Sequence, residues 1–148
     1  MGPAMRNARH VLVAAMICFP LAVSAETVVK CGAMEGYAYF YPSPFVREDQ
    51  QGFEENQVEK GAIAISLEGN QYDVAHESVN GNVYSAKEDG AKIVPLANTK
   101  AHFVLFVAFP EKAAEIYTYH KPTKTLTMLE HKYGALVTSS KLMVSQCE

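Results

Sequence analysis

From Thr27 onward the sequence repeats one figure: a short run alternating apolar and polar residues, then a turn-forming pair, then another run. A period of two places alternate side chains on opposite faces, which is the geometry of a half-buried strand. The runs are Thr27–Cys31, Tyr37–Tyr41, Ala62–Glu68, Gln71–Ser78, Val83–Glu88, Ala91–Ala97, His102–Phe109, Ala113–His120, Lys124–Glu130 and Leu136–Val144. Between them stand Gly69-Asn70, Asn80-Gly81, Asp89-Gly90, Pro110-Glu111-Lys112, Pro122-Thr123 and Tyr133-Gly134. Asn-Gly and Asp-Gly are the strongest short hairpin signals because both central positions of their turn need positive φ. No helical period of useful length competes, beyond one possible turn at Glu111–Glu115. The chain is therefore expected to be all-β, an antiparallel meander of about eight to ten short strands closed as a barrel or folded as a two-sheet sandwich.

Parity tests this expectation. A two-residue loop at Gly69-Asn70 pairs Leu67 with Tyr72, Ile65 with Val74 and Ile63 with His76. Two-residue loops at Asn80-Gly81 and Asp89-Gly90 would keep Val83 and Ser85, then Leu96 and Val94, on the same face. The face would continue through Phe103, Leu105, Val107 and Phe109 to Tyr117 and Tyr119. A slip of one residue anywhere would turn that face outward. The strand His102–Phe109 is apolar on both faces and is expected to be the most buried.

The segment 42–61 breaks the rhythm. It has no strand period, and its large apolar residues are Phe45, Val46, Phe53 and Val58. A loop of this length in a compact domain is uncommon and often functional. Rigid β scaffolds carry recognition on loops, so Phe45, Arg47 and Phe53 are candidate binding residues, unless the two phenylalanines cap one end of the core. Tyr37 and Tyr39 join them, because Tyr37, Tyr39 and Tyr41 alternate onto one face and tyrosine suits both core margins and binding surfaces.

The N-terminus reads as an export signal, Met1–Ala25. Arg6 and Arg9 supply the positive start, Val11–Phe19 the apolar centre and Val23-Ser24-Ala25 the small residues of a cleavage site. The apolar run falls short of the roughly 20 residues a membrane span needs. Cys18 follows bulky Ile17, where a lipidation site needs a small residue. Cleavage leaves residues 26–148 as a single β domain. It removes two arginines and no acid, so the net charge moves from −3 to −5. An acidic domain is a poor partner for nucleic acid or an anionic membrane. Two cysteines remain, Cys31 and Cys147, and an even pair in an exported chain reads as a disulfide.

Catalytic signatures are sparse. A three-residue turn at 110–112 would set His102 opposite His120, a possible two-histidine metal site, but the spacing implies no third ligand. Asp73 and Glu77 project away from His76 on a strand. Ser139-Ser140-Lys141 matches no serine–lysine catalytic spacing, and the carboxylate pairs Glu54-Glu55 and Glu88-Asp89 read as solvated turns. There is no nucleophile elbow and no glycine-rich phosphate loop. No cofactor or metal is expected.

The stretch Lys30–Phe40, the segment Asn82–Gly90 with Ser85-Ala86-Lys87-Glu88-Asp89-Gly90, Glu115–His120 and Lys141–Val144 before Cys147 resemble small exported bacterial two-cysteine proteins of unassigned function. That resemblance implies a secreted β protein and no particular activity. In its fold the chain is also similar to periplasmic lysozyme inhibitors built on small β-barrels, which begin near one cysteine and end near another. Their Ser-Gly-x-x-Tyr inhibitory motif is not found. Asn80-Gly81-Asn82-Val83-Tyr84 keeps only its glycine and tyrosine, so no inhibitory residue carries over. The expected function is a periplasmic or secreted non-enzymatic binding module, an inhibitor of an envelope hydrolase being one version. Its acidity suits a basic partner through electrostatic steering. A small-ligand carrier, or an enzyme assembled around His76 or the His102–His120 pair, is the alternative.

Overall fold

The structure is a computed structural model that describes residues 25–58 and 61–148. Apart from Ala25, the expected export signal lies outside the described residues, and so does Cys18. Eleven strands are formed among the described residues: β1 Glu26–Cys31, β2 Met34–Phe40, β3 Gly52–Val58, β4 Ala62–Glu68, β5 Gln71–Glu77, β6 Val83–Ser85, β7 Lys92–Asn98, β8 His102–Phe109, β9 Ala113–His120, β10 Thr125–Lys132 and β11 Ser139–Gln146. They make two antiparallel sheets, a first of order β1-β4-β5-β6 and a second of order β3-β2-β11-β10-β9-β8-β7. The sheets do not close into a barrel. They face each other as a sandwich, and no described helix is long and apolar enough to cross a membrane.

The core lies between them. Val29, Ile63, Ile65 and Val74 come from the first sheet; Phe103, Leu105, Val107, Tyr117, Leu126, Met128 and Met143 come from the second. Each such side chain withdrawn from water contributes about 1.5–3 kcal/mol. Along β8 the burial alternates: Phe103, Leu105 and Val107 are fully enclosed, while Val104 and Phe106 on the other face are partly covered. That strand is thus apolar on both faces but fully buried on one alone.

Cys31 and Cys147 are joined, closing a separation of 116 residues. The bond sits where the first sheet meets the end of the second, beside the backbone hydrogen bonds Gly32 N–H to Gln146 O and Glu148 N–H to Lys30 O. A loop of that length corresponds to about 4–5 kcal/mol in the chain-entropy view.

The β4–β5 hairpin has the expected register, Leu67 with Tyr72, Ile65 with Val74 and Ile63 with His76. The next two connections differ. Residues 78–82 form a longer turn, with Ser78 N–H bonded to Asn82 O and Gly81 N–H to Ser78 O, so Tyr84, not Ser85, lies opposite His76. One added residue in the register turned Val83 and Ser85 to the outer face. The Asp89-Gly90 turn makes no hairpin: β6 ends the first sheet and β7 ends the second, so Val83 does not pair with Leu96 nor Ser85 with Val94. Asp73 explains the switch. Its carboxylate accepts hydrogen bonds from Ser85 Oγ at 2.7 Å, Lys87 N–H at 3.1 Å and Val74 N–H at 2.8 Å. This pins the chain as buried Ala86 carries it across to the other sheet.

The segment 42–61 is not one long loop. Its second half is β3, paired residue for residue with β2 from Met34↔Val58 to Phe40↔Gly52. The run Gly-Phe-Glu-Glu-Asn-Gln-Val is poor in strand-favouring residues and has no apolar face. It is an edge strand, held by backbone bonds to one neighbour, so the burial pattern that reveals a central strand is missing.

Candidate functional site

The register of the second sheet determines what its outer face presents. Tyr37, Leu142, Leu129, Ile116, Phe106 and Val94 lie directly opposite one another, strand to strand, from β2 to β7. All six point away from the first sheet. Tyr37, Leu142, Leu129 and Val94 are 58%, 48%, 49% and 46% exposed, and Ile116 and Phe106 are partly covered by their neighbours. At about 4.8 Å per strand the row is about 24 Å long. Val144, Val104 and Leu96 extend it on one side. Nothing among the described residues covers it.

At the β2–β3 end this face deepens into a groove of about 570 Å³. Leu142 and Val144 are its apolar floor, Tyr37 a wall, and Glu35, Glu55 and Gln57 its polar margin. Neither glutamate forms an ion pair with a described residue. Beside the groove a chain of aromatic rings runs from Phe53 to Tyr39 to Tyr41, each step 5.0 Å between centroids and close to perpendicular. It continues to His131 and Tyr133 at 6.1 and 5.9 Å. Edge-to-face rings make a ridged surface instead of a flat stacking platform.

Of the residues selected from sequence, Tyr37, Tyr39 and Phe53 are brought together on this outer face. Phe45 is not. It is 63% exposed on the opposite side of β3, where it lines a hollow with Phe40, Val46, Gln50, Glu54 and Val137, while Val46 is the residue that tucks in. Arg47 forms a two-pronged pair with Asp49 at 2.8 and 3.0 Å, both ends solvated. It stands at the start of the short 3₁₀ turn Glu48–Gln50 and hydrogen-bonds to none of the other candidate residues.

His102 and His120 are opposite one another with ring centroids 4.8 Å apart, as the turn length implies. His120 Nδ1 lies 2.7 Å from Thr123 Oγ1. Among the described residues no three His, Cys, Asp or Glu side chains converge as metal ligands.

The inner face holds a polar chain that neither the sequence nor its spacing signalled as a unit. The Tyr117 hydroxyl donates to Glu115 Oε2 at 2.7 Å. His76, from the opposite sheet, places Nε2 2.8 Å from that hydroxyl, so the imidazole N–H donates to the tyrosine oxygen. Glu130 stands directly across from Glu115 on β10. Lys141 lies 3.1 Å from Glu130 Oε1, close enough for an ion pair but misaligned for a hydrogen bond, and Lys132 is 3.6 Å from Oε2.

Burial raises the Glu115 carboxyl to about 7; the hydrogen bond from Tyr117 opposes that rise and the charge of Glu130 adds to it. Burial also pushes the Tyr117 hydroxyl well up and lowers His76. The opening nearest His76 is a hollow of about 60 Å³ between Met34, Val58 and Ile63, room for about two waters. The chain therefore bridges the sheets and satisfies buried polar groups.

Sequence reasoning weighed His76 alone and paired it with nothing, because Tyr117 is 41 residues away and on the other sheet. It also assigned Leu129, Leu142 and Phe106 no role, since an apolar residue on a strand reads as core by default. Comparisons with protein-family models, with curated proteins and with solved structures found no match.

Proposed function

We propose that this chain is an exported, non-enzymatic protein-binding module that engages a basic protein of the cell envelope through the outer face of its second sheet. The observation that carries this reading is the in-register row from Tyr37 to Val94. Soluble monomers rarely leave contiguous apolar surface beyond a few hundred Å² uncovered, and larger patches mark interaction sites. Here the row crosses six strands over about 24 Å, with Tyr37, Leu142, Leu129 and Val94 each close to half exposed. Glu35 and Glu55 at its edge, with a net charge of −5 after loss of the signal, favour a basic partner and speed its approach. An envelope hydrolase held in an inhibited state is one form such a partner takes.

Two features weigh against the alternatives. A carrier needs an enclosed apolar chamber, whereas the space between the sheets is filled by side chains and the larger hollows are open grooves. An enzyme centred on His76 needs substrate access, and the hollow there takes only water.

The test is capture from envelope extract by the mature chain, checked by intact mass to begin at Glu26, against the double variant Leu129→Lys, Leu142→Lys. The wild type should retain a basic protein, and the variant should retain at least about tenfold less with its thermal unfolding unchanged. Equal retention by both would discard the reading.

A further inference from the structure

The four sheet edges of the sandwich are not alike. β1 is interrupted by a bulge between Thr27 and Val29, β6 is three residues long, and β7 carries Pro95 next to a second bulge. These are the usual devices by which edge strands avoid pairing with other chains. β3 has none of them. It runs seven residues in unbroken register with β2, without proline or bulge, and among the described residues its backbone is hydrogen-bonded on the β2 side alone. A regular edge with free N–H and C=O groups is a template for one more strand.

The side chains on the two faces of this edge repeat one chemistry. On the outer face stand Phe53, 81% exposed, and Glu55 two residues on. On the inner face Glu54 meets Phe45 at a hollow of about 190 Å³. Each face thus offers an aromatic ring beside a carboxylate that has no ion pair among the described residues. An arginine or lysine side chain satisfies both at once, its stem and charge against the ring and its donors on the carboxylate.

We propose that β3 is a docking edge that takes an extended segment of a partner protein bearing two adjacent basic residues, added as a further strand beside β3. Neighbouring residues of an added strand point to opposite faces, so adjacent bases reach Glu54 and Glu55 together. A second copy of the chain is the wrong occupant, because full antiparallel overlap of β3 with β3 sets the Glu55 carboxylates of the two copies directly opposite, and like charges across a strand pair repel. The inference rests on the binding-module reading and assigns the partner's contacting segment.

A blocked seven-residue peptide with two central arginines flanked by threonine and valine is the probe, titrated into isotope-labelled mature protein. Binding should shift the β3 resonances and slow exchange of the β3 amides directed away from β2. Methylating alternate amides of the peptide on the side that would face β3, which keeps the charge and removes the strand bonds, should weaken binding at least about tenfold. The variant Glu54→Gln, Glu55→Gln should weaken it by about as much with no change in thermal unfolding. Absent binding, equal affinity for the methylated peptide, shifts centred on Leu129 and Leu142, or self-association of the chain through β3 would each overturn the edge proposal. If the peptide fails while capture from envelope extract still depends on Leu129 and Leu142, the edge falls and the module reading stands. If capture ignores those leucines, the module reading falls whatever the peptide does.

Discussion

The two faces of the second sheet are both apolar, yet one is the core and the other is surface. Leu105 on β8 and Leu129 on β10 are the same residue type in strands of the same length, but Leu105 is fully enclosed and Leu129 is half exposed. The inner face nevertheless buries polar groups, Glu115, Tyr117 and Glu130, while the outer row from Tyr37 to Val94 carries no charge. Hydrophobicity alone therefore does not say which face is inside. What lies opposite does: the first sheet covers one face, and no described element covers the other. The buried polar groups are tolerated because most are partnered: Glu115 by the Tyr117 hydroxyl on its own strand, Tyr117 by His76 across the sandwich, and Glu130 by Lys141 across a strand.

The comparison breaks most severely if the two sheets are released from each other. Replacing Cys31 and Cys147 together by serine should cost about 4 kcal/mol, measured by denaturant unfolding; a loss below about 1 kcal/mol would mean that the sandwich holds without its covalent strap. Next comes the direct contrast. Leu105→Ala should cost about 3 kcal/mol, the usual loss for an enclosed leucine, whereas Leu129→Ala should cost less than about 1 kcal/mol. Similar losses at both sites would show that the outer face is covered in solution.

The buried polar chain yields a sign prediction. Glu115 has its folded value above the ordinary 4.5, at about 7. The folded state therefore binds the extra proton in that window, and the stability tied to this group is lost as pH rises through it. His76 is held below 6.5, so its contribution runs the other way and is lost as pH falls below 6.5. In the wild type the two oppose each other. Glu115→Gln should stabilise the protein at pH 8 by about 2 kcal/mol and leave the histidine's dependence unopposed by Glu115, so that acidification from pH 7 to 5 destabilises the variant more than the wild type. Identical pH profiles for the two proteins would show that Glu115 is not enclosed as described. The smallest expected effect is the most specific. Leu129→Thr should change stability by no more than about 0.5 kcal/mol while lowering capture of the partner; unchanged capture would move the contact away from the centre of the row.

Residue patterns determined a good deal of this protein. The β4–β5 register and the opposition of His102 to His120 followed from alternation and from the length of a tight turn, both of them local properties of the chain. The pairing of Cys31 with Cys147 was legible as an even pair outside the expected export signal. Tertiary structure decided the rest. Whether the β5–β6 connection turns in two residues at Asn80-Gly81 or by the longer turn 78–82 depends on hydrogen bonds within the loop, and whether Asp89-Gly90 closes a hairpin or carries the chain to another sheet depends on Asp73, which gathers Ser85 at the end of β6 and Lys87 just beyond it. The strand character of 52–58 comes from the edge of β2, because seven residues without an apolar face gain a ladder only when a partner supplies it. The link from His76 to Tyr117 crosses the sandwich, and no spacing along the chain encodes it. A strand's alternation states that its two faces differ or agree; which face is buried is settled by the element that packs against it, and that contact is made by residues far away in sequence.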